Sequence, residues 1–158
     1  MTKLITSFFI PVLLFIAFWF GESEKGIINL APYVAWLLGI AIATTLYSKN
    51  IKKRIMLGVS LTIFYSFFLY AGTISFQKAF NSCVQDGEKV RAALHHYKSE
   101  NGTFPMSLDQ LGVELPGKRF TRKNLLYYSL SEDGYNISFK DWLIVHRATE
   151  SEKFLAYK

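Results

Sequence analysis

Three stretches of this chain, residues 4–20, 30–47 and 55–76, contain no charged side chain, and nothing else in the sequence constrains the fold as strongly. A run of about 20 apolar residues, rising about 1.5 Å each, spans the roughly 30 Å hydrocarbon core of a bilayer. Backbone polar groups in that core need partners within their own segment, so each stretch is expected as a helix. The expectation is a membrane protein with three transmembrane helices forming an anchor over residues 1–76. Pro11 lies inside the first helix and is expected to kink it, which membrane helices tolerate when neighbours satisfy the exposed carbonyl. A cleaved signal peptide is the alternative for this segment, because Lys3 precedes it. The run is long for that purpose, and "FGESEKG" offers no small-x-small cleavage site, so retention is expected.

The connecting segments orient these helices. Residues 21–29, "GESEKGIIN", carry Glu22 and Glu24 against Lys25, whereas residues 48–54, "SKNIKKR", carry Lys49, Lys52, Lys53 and Arg54 with no acid. Lys and Arg collect on the cytoplasmic side, which puts the N-terminus inside and the chain beyond residue 76 outside. Six of the 18 basic and two of the 12 acidic side chains lie in residues 1–76, so most of the net charge of +6 is an orientation signal. It supplies no nucleic-acid footprint, and no nucleic-acid partner is expected. No Asp, Glu, Lys, Arg or His falls inside the three stretches, so ion or proton transport is not expected.

Beyond residue 76 the pattern becomes periodic. Phe80, Cys83, Val84, Gly87, Val90, Leu94 and Tyr97 recur at three- and four-residue steps, predicting an amphipathic helix that continues the third apolar stretch as one rod from about Ile55 to Ser99. Cys83 is the single cysteine and is expected as a small buried hydrophobe. At "SENGTFP" the rod stops, because Asn101 and Gly102 accept the left-handed conformation that closes a helix and Pro105 discourages its resumption. Ser107 and Gln110 match an S-x-x-Q capping box, predicting a short helix with Leu108 and Leu111 inward and Phe104 packed where the two helices meet.

The period then changes to two. Tyr135, Ile137 and Phe139 alternate with Asn136, Ser138 and Lys140, while "LLYYSL", "WLIVHRA" and "KFLAYK" are further strand candidates and Asp133-Gly134 is a hairpin turn. An antiparallel sheet of this kind needs a partner for its apolar face, and the amphipathic rod supplies one. Residues 77–158 are therefore expected as a small α+β domain, a long helix laid on an antiparallel sheet.

The run "ALHHYKSENGTFPMSLDQL", after a helix emerging from the membrane and before a hairpin, resembles the globular part of type IV pilins and type II secretion pseudopilins. The matching positions are Tyr97, Asn101, Gly102, Phe104, Pro105, Leu108 and Leu111, with Tyr135 in the later hairpin. The resemblance implies a pilin-like domain on the periplasmic side of a bacterial inner membrane. It does not extend to filament formation, which needs a basic leader, a peptidase site and an acidic residue early in the first apolar helix. Here "KKRIMLGVSLTIFYSF" has no carboxylate.

Chemistry is harder to place. His95 and His96 are adjacent and point about 100° apart on a helix, unlike ligands at i and i+4, so no metal is expected from them, from His146, or from Cys83 and Asp86. Nucleophile, zinc and phosphate-loop motifs are missing, so no enzyme and no cofactor are expected. Glu132, Asp133, Asp141, Glu150 and Glu152 read as surface charges. The segment "GKRFTRKN" stands out, with Lys118, Arg119, Arg122 and Lys123 around Phe120. It is the candidate partner-binding surface, for an acidic protein surface, anionic lipid headgroups or a cell-wall polymer. The leading reading is a non-enzymatic protein displaying a recognition domain for an envelope protein, as an accessory factor of pilus or secretion machinery; self-association stays open. The alternative is a membrane-bound immunity protein that sequesters an envelope-acting toxin.

Overall fold

The computed structural model describes the chain apart from Met1, Ser48, Glu132 and Asp133; the side chains of residues 2–7 and Tyr47 are also outside the description. The chain divides into two compact units, Met1–Phe76 and Gln77–Lys158. Unit 1 holds α1 (Thr2–Gly21), α2 (Ala31–Tyr47) and the first part of α3 (Ile51–Asn101), with a single 3-10 turn at Gly26–Ile28. Unit 2 holds the rest of α3 and a four-stranded sheet.

The expectation of three transmembrane helices is corrected here. Among the described residues only α3 is long and apolar enough to cross a membrane; the apolar lengths of the other two, Phe8–Gly21 and Ala31–Leu46, fall short. Lack of charge is common to a membrane span and to a helix packed on apolar neighbours, and length separates the two. Both of these helices have protein partners. Leu13 and Ala17 of α1 form a buried cluster with Tyr65 and Leu69 of α3, flanked by Phe9, Phe20, Trp36 and Phe68. The Tyr65 hydroxyl donates to the Pro32 carbonyl at the start of α2 at 2.7 Å.

Two glycines set how closely α1 meets α3. A Cβ on Gly21 would overlap the Leu69 carbonyl, and a Cβ on Gly72 would overlap the Phe18 carbonyl. The crossing also captures Glu22, which the sequence assigns to an exposed acidic loop. Its backbone N–H bonds the Phe18 carbonyl at 2.9 Å, just past the end of α1. Its side chain is fully buried, and the carboxylate accepts a 2.6 Å hydrogen bond from the Ser75 hydroxyl.

In unit 2 the strands β1 (Tyr127–Ser131), β2 (Gly134–Lys140), β3 (Val145–Thr149) and β4 (Leu155–Tyr157) run antiparallel in chain order. The alternation read in β2 holds: Tyr135, Ile137 and Phe139 are buried while the residues between them are half-buried. Pairing of Ile137 with Tyr128 and Ala148, and of Phe139 with His146, puts those partners on the same face. Leu94, Val90, Gly87, Cys83 and Ala79 are the buried positions of α3 in this unit. Contact between the layers is direct at Phe80, whose ring lies 5.4 Å from Phe139 and 5.5 Å from His146. Gly87 leaves room for Phe154, whose ring would stand 2.8 Å from a Cβ there. Beside it the Glu88 carboxylate accepts from the Phe154 N–H at 3.0 Å and from Arg91 at 2.9 Å. Partial burial works against ionisation of Glu88, but these two donors outweigh it and hold the carboxyl below its usual range.

The helix stop forms as its residues dictate. α3 ends at Asn101, Gly102 takes φ 76°, and its N–H bonds the Lys98 carbonyl at 2.8 Å. Two expected details differ. The short helix is one 3-10 turn, Leu108–Leu111, and Ser107 makes no side-chain cap; Gln110 instead accepts the Met106 N–H at 2.7 Å. Phe104 packs against the end of α3, 6.3 Å from the His95 ring, but its nearest ring is the sheet residue Tyr135 at a centroid distance of 4.9 Å, because a single 3-10 turn offers no long face for it. The Asp133-Gly134 turn falls partly outside the described residues, and the Ser131–Gly134 pair flanks it.

Candidate functional site

The basic segment is a closed loop with both ends held. Gly117 takes φ 85°, a conformation that favours glycine, and its carbonyl accepts the Leu125 N–H at 2.8 Å. Its own N–H donates to the Ser82 hydroxyl of α3 at 2.8 Å, and that hydroxyl donates in turn to the Ala79 carbonyl. Within the loop Arg119 Nε donates to the Lys123 carbonyl at 2.7 Å. Lys118, Phe120 and Lys123 are exposed, and Arg119 and Arg122 are half-buried. Phe120 is 84 % exposed among these basic residues. The structure thus brings all five sequence candidates together on one short loop.

A second segment at the same end was not singled out from the sequence. "WLIVHRA" reads as one strand, yet β3 starts only at Val145. Asp141 Oδ1 accepts from the N–H groups of Leu143 and Ile144, at 2.8 and 2.7 Å, and curls Trp142 and Leu143 into a turn where both are exposed. Asp is a residue that forms such side-chain turns, so the Asp141-Trp142 step was the available signal. Register shows the shared end. Tyr127, which follows the basic loop, pairs with Ser138 two residues before Lys140, and Val145 pairs with Tyr157.

Behind the basic loop Cys83 is buried against Gly117, and burial, only partly offset by Arg119, pushes its thiol up to about 12. Since the thiolate is the reactive form, an alkylating reagent at pH 8 is expected to leave the folded protein unmodified and to label it once urea unfolds unit 2. Labelling of the native protein at the rate of a free thiol would contradict this burial.

The opposite end of unit 2 carries a groove of about 730 Å³ lined by Tyr97, Phe104, Met106 and Leu130, with Lys98 and Glu150 at its side. Met106 is 81 % exposed, and Leu130 is exposed as well. Lys98 joins Glu150 at 2.6 Å and lies 4.5 Å over the Phe104 ring, so an ion pair stiffens one wall. The histidines do not converge: His95 lies 3.3 Å from the Tyr135 hydroxyl, His96 meets Glu100 at 3.6 Å, and His146 stacks on Phe139 at 4.7 Å. Among the described residues no three His, Cys, Asp or Glu side chains are grouped to hold a metal ion. Comparison with protein-family models, with curated proteins and with solved structures finds no match to this chain.

Proposed function

We propose that this chain is a non-enzymatic membrane protein that presents unit 2 outside the cytoplasm to capture a protein partner. The observation that carries the reading is the continuity of α3. A single helix, Ile51–Asn101, begins in Lys52, Lys53 and Arg54, passes through the uncharged residues 55–76, and ends as the helical layer under a sheet. Basic residues at its start favour a cytoplasmic N-terminal end and an external unit 2. The far groove fits a protein ligand because apolar anchors, Met106 and Leu130, adjoin a polar rim, the usual anatomy of a contact patch. A bacterial inner membrane, a periplasmic domain and a role beside pilus or secretion machinery are the specific form suggested by the pilin resemblance.

Two measurements test this. A reporter that works only outside the cytoplasm, fused after Lys158, is expected to be active; activity of a cytoplasmic reporter instead would overturn the orientation. Partner capture from solubilised membranes is expected to fall at least about tenfold in the Met106→Asp/Leu130→Asp double variant, as for loss of interface anchors. Both residues are exposed, so unit 2 should keep its fold and Cys83 its protection. Undiminished capture would remove the groove from the proposal, and recovery of an envelope-acting toxin as the partner would favour the immunity reading.

A further inference from the structure

We infer that the end of unit 2 opposite the groove is a seat for anionic lipid headgroups. The inference rests on the reading that residues 55–76 cross a membrane. Gln77 directly follows that uncharged segment in the chain, and the loop of residues 117–125 is fastened to Ser82, only six residues beyond Phe76 and so within about 9 Å along a helix. A headgroup layer adds several ångströms on each side of the hydrocarbon core, which puts this tether at its depth.

Composition at this end is that of a lipid interface. Lys118, Arg119, Arg122, Lys123 and Lys140 are gathered by the loop and the sheet register, and outnumber the acids near them, Asp141 and the pair Asp86 and Glu114 that line a pocket with Gly117 and Lys118. The Asp141 carboxylate is engaged by two backbone N–H groups. Phe120, Trp142 and Leu143 are the exposed apolar residues among these cations. A basic surface concentrates at an anionic leaflet, and Trp sits in the headgroup region with its ring covered and its N–H wet, while Phe and Leu add apolar area to bury there. Seating this end would hold the groove at the other end away from the membrane.

The test uses the full chain in nanodiscs of phosphatidylcholine alone or with phosphatidylglycerol, followed by amide hydrogen exchange. Exchange in residues 118–124 and 141–144 is expected to slow about tenfold in the anionic discs, and the effect should fade near 1 M salt, where the screening length is about 3 Å. Residues 103–106, in the groove, should exchange alike in both discs. Lys118→Gln/Arg119→Gln/Arg122→Gln/Lys123→Gln is expected to remove the protection, as is Phe120→Ser/Trp142→Ser; both sets alter exposed or half-buried positions, and Cys83 protection reports that the fold is kept. A protein that incorporates normally but exchanges equally in both discs overturns the lipid seat and returns the patch to a protein partner. A protein that does not incorporate at all overturns the membrane reading and this inference with it.

Discussion

Gly72→Leu is expected to break the packing of α1 on α3, while Gly58→Ala on the same helix should be tolerated. A Cβ at Gly72 meets backbone, the Phe18 carbonyl, and neither helix can yield without moving the other. At Gly58 the nearest atoms are side-chain methyls at 3.6 and 3.8 Å, ordinary contact. Small residues at a helix crossing let two backbones approach, and overpacking such a site costs about 1–3 kcal/mol or more. The loss is compounded three residues on, where the Ser75 hydroxyl would draw away from the buried Glu22 carboxylate. Losing a buried hydrogen bond adds about 1 kcal/mol. Protease resistance and thermal unfolding of the detergent-solubilised chain give the readout; equal stability of the two variants would show that the glycine crossing is not what holds unit 1.

Tyr135→Ala is expected to be the most damaging single substitution in unit 2. The ring is 1 % exposed and meets Phe104 at 4.9 Å, His95 at 5.9 Å and Tyr128 at 6.2 Å. Removing a buried aromatic side chain costs about 3–5 kcal/mol. A domain of this size has only about 4–12 kcal/mol in total, so much of its stability would go. Tyr135→Phe keeps the packing and loses the hydroxyl that faces His95, at a cost of about 1 kcal/mol. Urea dependence of Cys83 alkylation measures both. A Tyr135→Ala midpoint no lower than that of Tyr135→Phe would mean that the ring cluster does not hold the turn of residues 102–106 to the sheet.

The same residue shows how far a sequence can be read. Tyr135 belongs to an alternating run, and alternation alone assigns it to the buried face of a strand. What it touches there could not be read, because Phe104 had a plausible local partner in the short helix and found its real one across the chain. Trp142 illustrates the opposite case. Strand propensity in "WLIVHRA" was strong, and one Asp141 carboxylate bonding two N–H groups overrode it for three residues. The candidate loop was legible as a basic segment around a phenylalanine. Its conformation was not, because Gly117 is held by Ser82 from another element, 35 positions earlier in the chain.

By itself the sequence determined the end of α3 at Asn101 and Gly102, the inward face of β2, the burial of Cys83 and the charge asymmetry around residues 49–76. Each follows from backbone preferences or periodicities that act over a few neighbouring residues. Only the tertiary structure decided that, among the described residues, α3 alone is long and apolar enough to cross a membrane, that Glu22 is buried beside Ser75, and that the loop of Phe120 shares one end of the sheet with Trp142. Those outcomes depend on where two helices cross and which strand residues pair, and such long-range geometry leaves no local mark on the chain.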